Sequence, residues 1–270
     1  MKEFMFKDKV IIITGASSGI GRELALQLAA QGAWLALAAR TAERLESVRA
    51  ECEQRGAKAI SLPTDVSEPA HCEALVRQTI EHYSRLDMLI NNAGRTMFVN
   101  FENVRDVGIY EKLMKVNYLG SVYCTYYALP YLKQSQGRIV GISSLTGKTG
   151  VPTRTGYAAS KHAMAGFFDS LRIELAPYGV SVTMIFPGFV ATAVREQALG
   201  EDGEAVGLST VKENEVMTAE RCAEIILRAA ARRKREVVMT MRGKLGLWLK
   251  LVAPGLVDRI ARRTIDTGRS

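Results

Sequence analysis

Short apolar runs alternate with longer stretches of helical periodicity along most of the chain. The apolar runs are four to seven residues long and rich in Val, Ile, Leu and Ala, as buried strands are. They predict strands at Val10–Thr14, Trp34–Ala39, Ala57–Leu62, Met88–Asn91, Arg138–Ile142, Val180–Phe186 and Glu236–Thr240. The amphipathic stretches between them predict helices, among them Gly21–Gln31, Glu43–Arg55, Ala70–Tyr83 and Thr218–Arg233.

Strands that are apolar throughout and separated by helices are typical of a parallel sheet covered on both faces. The pattern therefore predicts an α/β fold: a doubly wound (Rossmann), mostly parallel seven-stranded sheet with helices on both faces, in a single domain. Ligands of such sheets bind beyond the carboxyl ends of the strands. Residues 189–217 break the pattern because they are polar, acidic and aperiodic, which favours a lid or a disordered loop.

The length and composition fit one large domain that carries its basic charge at one end. The chain has 270 residues and a formal net charge of +8. Twelve lysines and arginines face three acids from residue 228 onwards, so this segment has a net charge of +9 and the remainder −1. A basic nucleic-acid groove across the fold is therefore not expected, and we predict no nucleic-acid partner.

Cysteine and histidine positions argue against a disulfide framework and a metal site. The four cysteines are scattered, and the three histidines form no ligand motif. Reduced thiols favour a cytoplasmic protein. The first ten residues contain charges and no cleavage signal, so we expect neither a signal peptide nor a membrane span there.

A glycine-rich turn follows the first predicted strand. Glycines at such a turn let the backbone approach a pyrophosphate, and the helix that follows offers free N–H groups to the anion. A tight turn without a ligand is the alternative, but the position between a strand and a helix favours a dinucleotide site. The candidate residues are Gly15, Ser17, Ser18, Gly19, Ile20 and Gly21.

The end of the second predicted strand bears on the choice of cofactor. An acid at this place would bind a ribose 2′-hydroxyl, whereas Arg40 suits a 2′-phosphate. We therefore predict NADP(H) in preference to NAD(H), with Arg22 as an assisting cation. An ordinary solvent-facing arginine at a helix start is the alternative interpretation of Arg40.

A tyrosine, a lysine and a serine form the strongest candidate for chemistry. Tyr157 and Lys161 are four residues apart near the start of a long predicted helix, so their side chains share a face. A nearby ammonium and the positive ring of an oxidised nicotinamide favour the phenolate of a tyrosine whose ordinary pKa is about 10. A serine hydroxyl from Ser143-Ser144 can hold a substrate oxygen as charge develops on it.

Together these motifs resemble the short-chain dehydrogenase/reductase family over residues 6–240. Asn91-Asn92-Ala93-Gly94 after the fourth strand and Pro187-Gly188 after the sixth support the resemblance, as does Asn117 in the intervening helix. The resemblance implies that Tyr157 is the general acid and that Ser144 orients the carbonyl. It also implies that Lys161 binds the nicotinamide ribose and lowers the tyrosine pKa, and that Asn117 holds a relay water.

The resemblance also implies further cofactor contacts and an assembly. Asp65 and Val66 would flank the adenine, Asn91 and Gly94 the adenosine side, and Thr192 the carboxamide. Ala93, Pro187, Gly188 and Val190 complete the predicted set of cofactor contacts.

Residues 1–241 would form the NADP-binding catalytic domain. A homodimer or homotetramer would use the tyrosine-rich helix Asp106–Lys133 and the Tyr157 helix as its interface. Thr153 and Arg154, between the serine and the tyrosine, either border the substrate mouth or belong to an ordinary loop.

Residues 242–270 form a basic amphipathic extension that is interrupted at Pro254-Gly255. Apolar faces with a Lys/Arg rim suit a peripheral membrane contact. The same pattern suits a lid over a substrate mouth, a subunit contact, or packing on the chain's own domain. A similar extension in hydroxysteroid and lipid carbonyl reductases of the resembled family makes a bulky apolar substrate the leading interpretation.

The function expected from these observations is NADP(H)-dependent interconversion of a ketone and a secondary alcohol, on a steroid or long-chain lipid-like substrate. A 3-oxoacyl-thioester reductase would share the same catalytic residues. A regulator that senses NADPH without turnover is an alternative from another class, although it would not need the Tyr, Lys, Ser and Asn set.

Overall fold

A seven-stranded sheet, parallel throughout, forms the centre of the computed structural model, which describes residues 5–191, 198–207 and 216–267. Its strands are β1 (Val10–Thr14), β2 (Trp34–Ala39), β3 (Lys58–Pro63), β4 (Met88–Asn91), β5 (Arg138–Ile142), β6 (Ser181–Phe186) and β9 (Glu236–Val238). Across the sheet they follow the order β3–β2–β1–β4–β5–β6–β9. The predicted fold class is confirmed, and the predicted strand ends differ from the observed ones by at most two residues.

Helices cover both faces of this sheet. Helices α1 (Gly19–Ala29), α2 (Ala42–Gln54) and α7 (Ala219–Ala231) pack on one face. Helices α3 (Pro69–Tyr83), α5 (Gly120–Gln134) and α6 (Thr155–Leu175) pack on the other. Alternate residues of a strand point to opposite faces, so the fully buried β1 contributes to both apolar clusters. This two-sided burial explains why the strands are apolar throughout.

The strand order reverses between β1 and β4. From β1 the chain moves outward through β2 and β3, then returns to place β4 on the other side of β1. The loops that follow β1 and β4 therefore diverge above the carboxyl edge and open a crevice between them. The candidate residues of the glycine turn and of the Asn91–Gly94 stretch follow these two strands.

The predicted helix Asp106–Lys133 is present but is not uniform. It comprises α4 (Gly108–Met114), a π-helical turn over Lys115–Leu119, and α5. A π turn inserts one extra residue into a helix and redirects the side chains around it. The side chain of Asn117, which lies in this turn, is completely buried.

The segment 189–217 contains more order than a disordered loop, as far as it is described. Two short parallel strands, β7 (Val190–Ala191) and β8 (Met217–Thr218), pair within it and were not predicted from the sequence. Leu199 is fully buried, and its backbone N–H donates to the carbonyl of Thr96 at 2.9 Å. This part of the segment therefore lies against the loop that follows β4. Thr192 lies outside the described residues.

The C-terminal extension forms two helices, α8 (Met241–Val252) and α9 (Pro254–Thr267). The interruption lies at Ala253, because Pro254 opens α9 and is tolerated in the first turn of a helix. In α8 no residue is buried. Across the part of the chain that the structure describes, none of the helices combines the length and the apolar character that crossing a bilayer requires.

Gly21 in the first turn of α1 provides a test of how tightly the glycine turn is packed. A Cβ at this position would lie 2.1 Å from the carbonyl oxygen of Gly15. We expect Gly21→Ala to lower the free energy of unfolding by about 2 kcal/mol, as overpacking does, measured by denaturant unfolding. The matched control is Gly166→Ala in α6, where a Cβ meets nothing within 4 Å and no loss is expected. Equal stability of the two variants would contradict this packing.

Candidate active site

The glycine turn presses against the loop after β4. Gly15 and Gly19 have φ of +67° and +52°, in the left-handed region that favours glycine. A Cβ on Gly15 would lie 2.9 Å from the Cα of Ala93. The turn therefore has no room for side chains at the point where its backbone amides face the cleft.

Two polar side chains tie the ends of β1 and β4 together. The buried Thr14 hydroxyl accepts hydrogen bonds from the backbone N–H groups of Asn92 and Ala93, both at 3.0 Å, and donates to the carbonyl of Ile90 at 3.3 Å. The Asn92 amide donates in turn to the carbonyl of Thr14 at 2.9 Å. Thr14 ends the first predicted strand and Asn92 belongs to the Asn91–Gly94 stretch, but the sequence predicts no role for either side chain.

Lys161 lies behind the cleft as a buried cation. Its side chain is 3% exposed, and its Nζ donates a hydrogen bond to the carbonyl of Ile142 at the end of β5, at 2.8 Å. Burial lowers the pKa of Lys161 from 10.5 to about 8. The ammonium lies 5.9 Å from the centre of the Tyr157 ring, so the predicted pair does share one face of α6.

The structure separates the roles of the two adjacent serines. The buried Ser143 hydroxyl donates to the backbone carbonyl of Lys161 at 3.2 Å and so fixes α6 against β5. Both serines line the cleft, and the Ser144 hydroxyl accepts from the backbone N–H of Thr146 at 3.3 Å. Because the Ser143 hydroxyl is used within the fold, the role of Ser144 as the substrate-facing serine stays the prediction that we carry forward.

The hydroxyl of Tyr157 is subject to opposing effects on its pKa. Burial raises the pKa, whereas the Ser144 hydroxyl, the Arg154 guanidinium and the Thr146 hydroxyl each lower it, and the balance is a raised pKa. The phenol is therefore the stable form at neutral pH, which suits a group that donates a proton.

Asn117 is held by several hydrogen bonds. Its side-chain NH₂ donates to the carbonyl of Arg95 at 2.9 Å and to the Ser160 hydroxyl at 2.8 Å, and its oxygen accepts from the N–H of Arg95 at 2.7 Å. A Cβ on Gly94 would approach the Asn117 oxygen to 3.1 Å and the Lys161 nitrogen to 3.4 Å. Asn117 thus positions the loop after β4 beside Lys161, and its predicted role as a holder of water stays a prediction.

Most of the predicted cofactor residues line one continuous cleft above the carboxyl edge of the sheet. They are Gly15, Ser17, Ser18, Gly19, Ile20, Arg40, Asp65, Val66, Ala93, Gly94, Tyr157, Lys161, Pro187, Gly188 and Val190. Gly21 and Asn91 are buried and do not line it; the amide of Asn91 donates to the Thr125 hydroxyl at 3.1 Å. The Asn91 side chain is therefore used inside the fold, and its predicted contact with a cofactor stays a prediction.

The two arginines proposed for the 2′-phosphate lie in different surroundings. Arg40 lines the cleft and is exposed. The pKa of Asp65 is lowered against the effect of burial, mainly by hydrogen bonds from the backbone and hydroxyl of Ser67 and to a smaller extent by the charge of Arg40. Arg22 forms ion pairs with Glu51 at 2.6 Å and Glu23 at 3.1 Å and does not line the cleft. The assisting role expected of Arg22 therefore stays a prediction without a contact to the cleft, whereas Arg44 does line it.

Two further arginines belong to the cleft. Arg95 directly follows Gly94, and burial together with Arg40 lowers its pKa. Arg154 is 8% exposed and lies beside Tyr157 and the rings of Phe98 and Phe189. In the sequence these arginines are marked only by their adjacency to the Gly94 and Tyr157 motifs. Arg154, expected to border the substrate mouth or to belong to a loop, lines the cleft.

The cleft has the features that a dinucleotide requires. A glycine turn free of Cβ atoms leads into the N-terminus of α1, which has no acid in its first turn, so phosphate oxygens can meet free N–H groups. The buried hydroxyl of Thr96, on the cleft wall, has no hydrogen-bond partner among the described residues. Within those same residues, no group of three His, Cys, Asp or Glu side chains is placed to hold a metal ion.

Comparisons with known proteins agree with this geometry. A family model described as short chain dehydrogenase matches residues 9–202. The chain is 37% identical to 11-beta-hydroxysteroid dehydrogenase 1A of Arabidopsis thaliana, over 96% of this chain and 76% of that protein. It is 35% identical to dehydrogenase/reductase SDR family protein 7-like of Dictyostelium discoideum, over 97% of this chain and 83% of that protein.

The burial of Lys161 predicts a dependence of stability on pH. Because its folded-state pKa of about 8 lies below its ordinary 10.5, the charged side chain destabilises the fold fully below pH 8, and this contribution disappears as the pH rises towards 10.5. We therefore expect Lys161→Met to be more stable than the parent chain by up to about 3 kcal/mol near pH 7. The difference should shrink between pH 8 and 10.5.

Denaturant unfolding at a series of pH values measures this difference. The control is Lys244→Met at an exposed position of α8, for which a difference near zero at every pH is expected. A Lys161→Met variant whose stability relative to the parent did not change with pH would contradict the buried charge.

Proposed function

Because the chain belongs to the short-chain dehydrogenase/reductase family, we propose that it is an NADP(H)-dependent enzyme that interconverts a ketone and a secondary alcohol. Members of the family are oxidoreductases that use NAD(H) or NADP(H) and bind small-molecule substrates. The observation that carries the proposal is that Ser144, Tyr157 and Lys161 line the same cleft as the glycine turn.

The chain's own residues supply orientation and a proton. The hydroxyls of Ser144 and Tyr157 face the same part of the cleft, so both can hydrogen-bond a carbonyl oxygen there. A nicotinamide held in the cleft would supply or accept the hydride at the carbonyl carbon. Tyr157 gives its proton to the oxygen during reduction and accepts it back during oxidation. Lys161, fixed on the carbonyl of Ile142, would bind the ribose hydroxyls beside it.

The preference for NADP(H) is supported by the surroundings of the β2 end. Arg40 and Arg44 line this end of the cleft, and no acid ends β2 to accept a hydrogen bond from a 2′-hydroxyl. Asp65, after β3, lines the cleft, but its carboxylate accepts hydrogen bonds from the backbone N–H and the hydroxyl of Ser67 and is attracted to Arg40. A 2′-phosphate between the two arginines would be stabilised by both charges.

An apolar substrate is supported by the side of the cleft that lies next to Tyr157. Phe98 and Phe189 line this side, and Phe189 is 41% exposed. Several relatives carry the name 11-beta-hydroxysteroid dehydrogenase, among them one of Sesamum indicum that is 36% identical over 94% of this chain. We propose a steroid or long-chain lipid-like ketone or alcohol, and 3-oxoacyl thioesters are the rival class that assays must include.

A homo-oligomer is supported by exposed apolar side chains on the predicted interface helices. Tyr126 on α5 and Ile173 on α6 are each more than 70% exposed. Members of the family are commonly oligomeric. We propose a second copy of this chain as the partner of these two helices, in a dimer or a tetramer.

The extension is proposed to touch an anionic membrane surface, with the protein otherwise in the cytoplasm. Apolar side chains of α8 recur at helical spacing on one exposed face: Met241, Leu245, Trp248 and Val252. Basic residues border this face, as an interface with anionic lipids requires. The extension also begins beside the cleft, because a Cβ on Gly243 would touch Leu145. An apolar substrate dissolved in the membrane would then lie near the cleft mouth.

Tyr157→Phe tests the acid/base assignment. Loss of the hydroxyl removes the proton donor, so we expect turnover to fall by roughly 10²- to 10⁴-fold. NADPH affinity, measured by fluorescence titration, should stay within about twofold because the ring remains in place. Turnover is followed by NADPH absorbance over ketosteroids, long-chain ketones and 3-oxoacyl thioesters. Turnover equal to that of the parent chain would exclude Tyr157 as the acid, and tight NADPH binding without turnover in the parent would favour a sensor.

Arg40→Leu tests the cofactor preference. Loss of a charged hydrogen bond to the 2′-phosphate should weaken NADPH binding by roughly 10- to 100-fold, with little change for NADH. Arg77→Leu on α3, an exposed arginine away from the cleft, is the matched control. Equal weakening for both cofactors would show that Arg40 does not contact the 2′-phosphate.

A double substitution of Leu245→Glu and Trp248→Glu tests the membrane contact. Both side chains are 68% exposed, so the fold should be unaffected, while the apolar face of α8 becomes acidic. We expect the parent chain to co-sediment with phosphatidylcholine vesicles that contain phosphatidylserine, and the variant to stay in solution. Binding that survives the substitution would contradict the proposal, and a change of oligomeric state without lipid would assign the face to a second copy.

A further inference from the structure

Arg154 is a buried guanidinium at the start of the helix that carries Tyr157. It lies immediately before α6, and its backbone carbonyl accepts a hydrogen bond from the N–H of Ala158 at 2.8 Å. The side chain is 8% exposed and lines the cleft. An arginine is rarely this buried, because removing a charge from water is costly. The burial of the Arg154 charge therefore requires contacts that stabilise it.

Two aromatic rings help to hold this guanidinium in place. Its central carbon lies 4.3 Å from the centre of the Phe98 ring and 5.5 Å from that of Phe189. A cation over an aromatic face is attracted to it, and more strongly where water is excluded. Phe98 follows β4 and Phe189 follows β6, so the contacts join two loops to the start of α6. The charge is thus kept at a defined position in the cleft wall.

Among the residues that the structure describes, two cations and two hydroxyls act on Tyr157. Arg154 precedes it, Lys161 follows it on α6, and Ser144 and Thr146 come from the segment after β5. Arg154 and both hydroxyls lower the pKa of Tyr157, against the effect of burial. The Lys161 ammonium points to the carbonyl of Ile142.

The two cations differ in how long they keep their charge as the pH rises. Burial lowers the pKa of Lys161 to about 8, so this side chain loses its charge at moderately alkaline pH. A guanidinium does not lose its proton in proteins. Arg154 is therefore the cation that persists beside Tyr157 under the conditions in which an alcohol must be deprotonated.

We propose that Arg154 is a positioning residue for the acid/base step, whose fixed positive charge favours the phenolate of Tyr157. In oxidation, the phenolate takes the hydroxyl proton of the alcohol and becomes a phenol; in reduction, the phenol gives its proton to the carbonyl oxygen and becomes a phenolate. Arg154 exchanges no proton in either direction and acts only through the charge it places beside the oxygen. The inference rests on the acid/base role proposed for Tyr157.

Ultraviolet titration of the phenolate tests the inference without substrate or cofactor. The absorbance change of Tyr157 is isolated by subtracting the titration of the same protein that carries Tyr157→Phe. We expect Arg154→Met to raise the ionisation midpoint of Tyr157 by about one pH unit, as removal of a neighbouring opposite charge does. Arg154→Lys, which keeps a charge, should leave the midpoint within a few tenths of a unit of the parent value.

An unchanged midpoint in Arg154→Met would overturn the inference, and so would an equal rise in both variants, because the effect would then not come from charge. Should the Met variant fail to fold, Arg154→Gln replaces it with the same expectation. A second measurement is the pH profile of kcat/KM for alcohol oxidation, whose acid limb should move to higher pH in Arg154→Met with NADPH affinity unchanged. Turnover that persists in Tyr157→Phe would refute the proposed function, while the titration would still report on Arg154.

Discussion

The hydrogen bonds between Thr14 and the Asn92-Ala93 backbone hold the two halves of the sheet together at the edge where the cleft opens. The strand order reverses between β1 and β4, so the loops that follow these two strands turn away from each other. The Thr14 hydrogen bonds fix one loop relative to the other. The Thr14 hydroxyl satisfies two backbone N–H groups of the β4 loop at 3.0 Å, and this contact brings Ala93 against Gly15. The glycine turn and the loop after β4 therefore form one rigid wall.

From that wall, a series of close contacts leads to the acid/base end of the cleft. Gly94 fits between Asn117 and Lys161 because it has no side chain, and Asn117 reaches inward from a π turn to bind the backbone of Arg95. Lys161 is in turn fixed on the carbonyl of Ile142. Burial of positive charge is unfavourable by itself. At this end of the cleft it would stabilise the anion that forms in the reaction proposed for Tyr157.

The fold and the family were predictable from the sequence because they depend on local patterns. The apolar strands gave the sheet, the glycine turn marked the β1 end, and the family resemblance is confirmed by the match over residues 9–202. The roles of the individual site residues stay predictions, although the structure brings most of them to one cleft. The structure adds that both serines line the cleft and that the Ser143 hydroxyl donates to the backbone of α6.

Contacts between distant parts of the chain account for what the sequence did not reveal. Arg22 pairs with Glu51, 29 positions away, and the sequence pattern gives no sign of this contact. The two-residue strands β7 and β8 are too short to show periodicity, and the π turn that turns Asn117 inward has no local signature. Arg154 acquires its environment from Phe98 and Phe189, which stand far from it in the sequence.

In the proposed function, hydride passes between a nicotinamide and a carbonyl carbon in the part of the cleft that Ser144, Tyr157 and Lys161 line. The most direct measurement uses NADPH that carries two deuterium atoms at the reactive ring carbon, so that either face of the ring delivers label, with ketosteroids and long-chain ketones as acceptors and mass spectrometry of the product. One deuterium is expected on the carbinol carbon of the alcohol product, and the amount of labelled alcohol should fall roughly 10²- to 10⁴-fold when Tyr157→Phe replaces the parent chain. Alcohol product without deuterium, or equal amounts of labelled alcohol from both proteins, would contradict this role of the site.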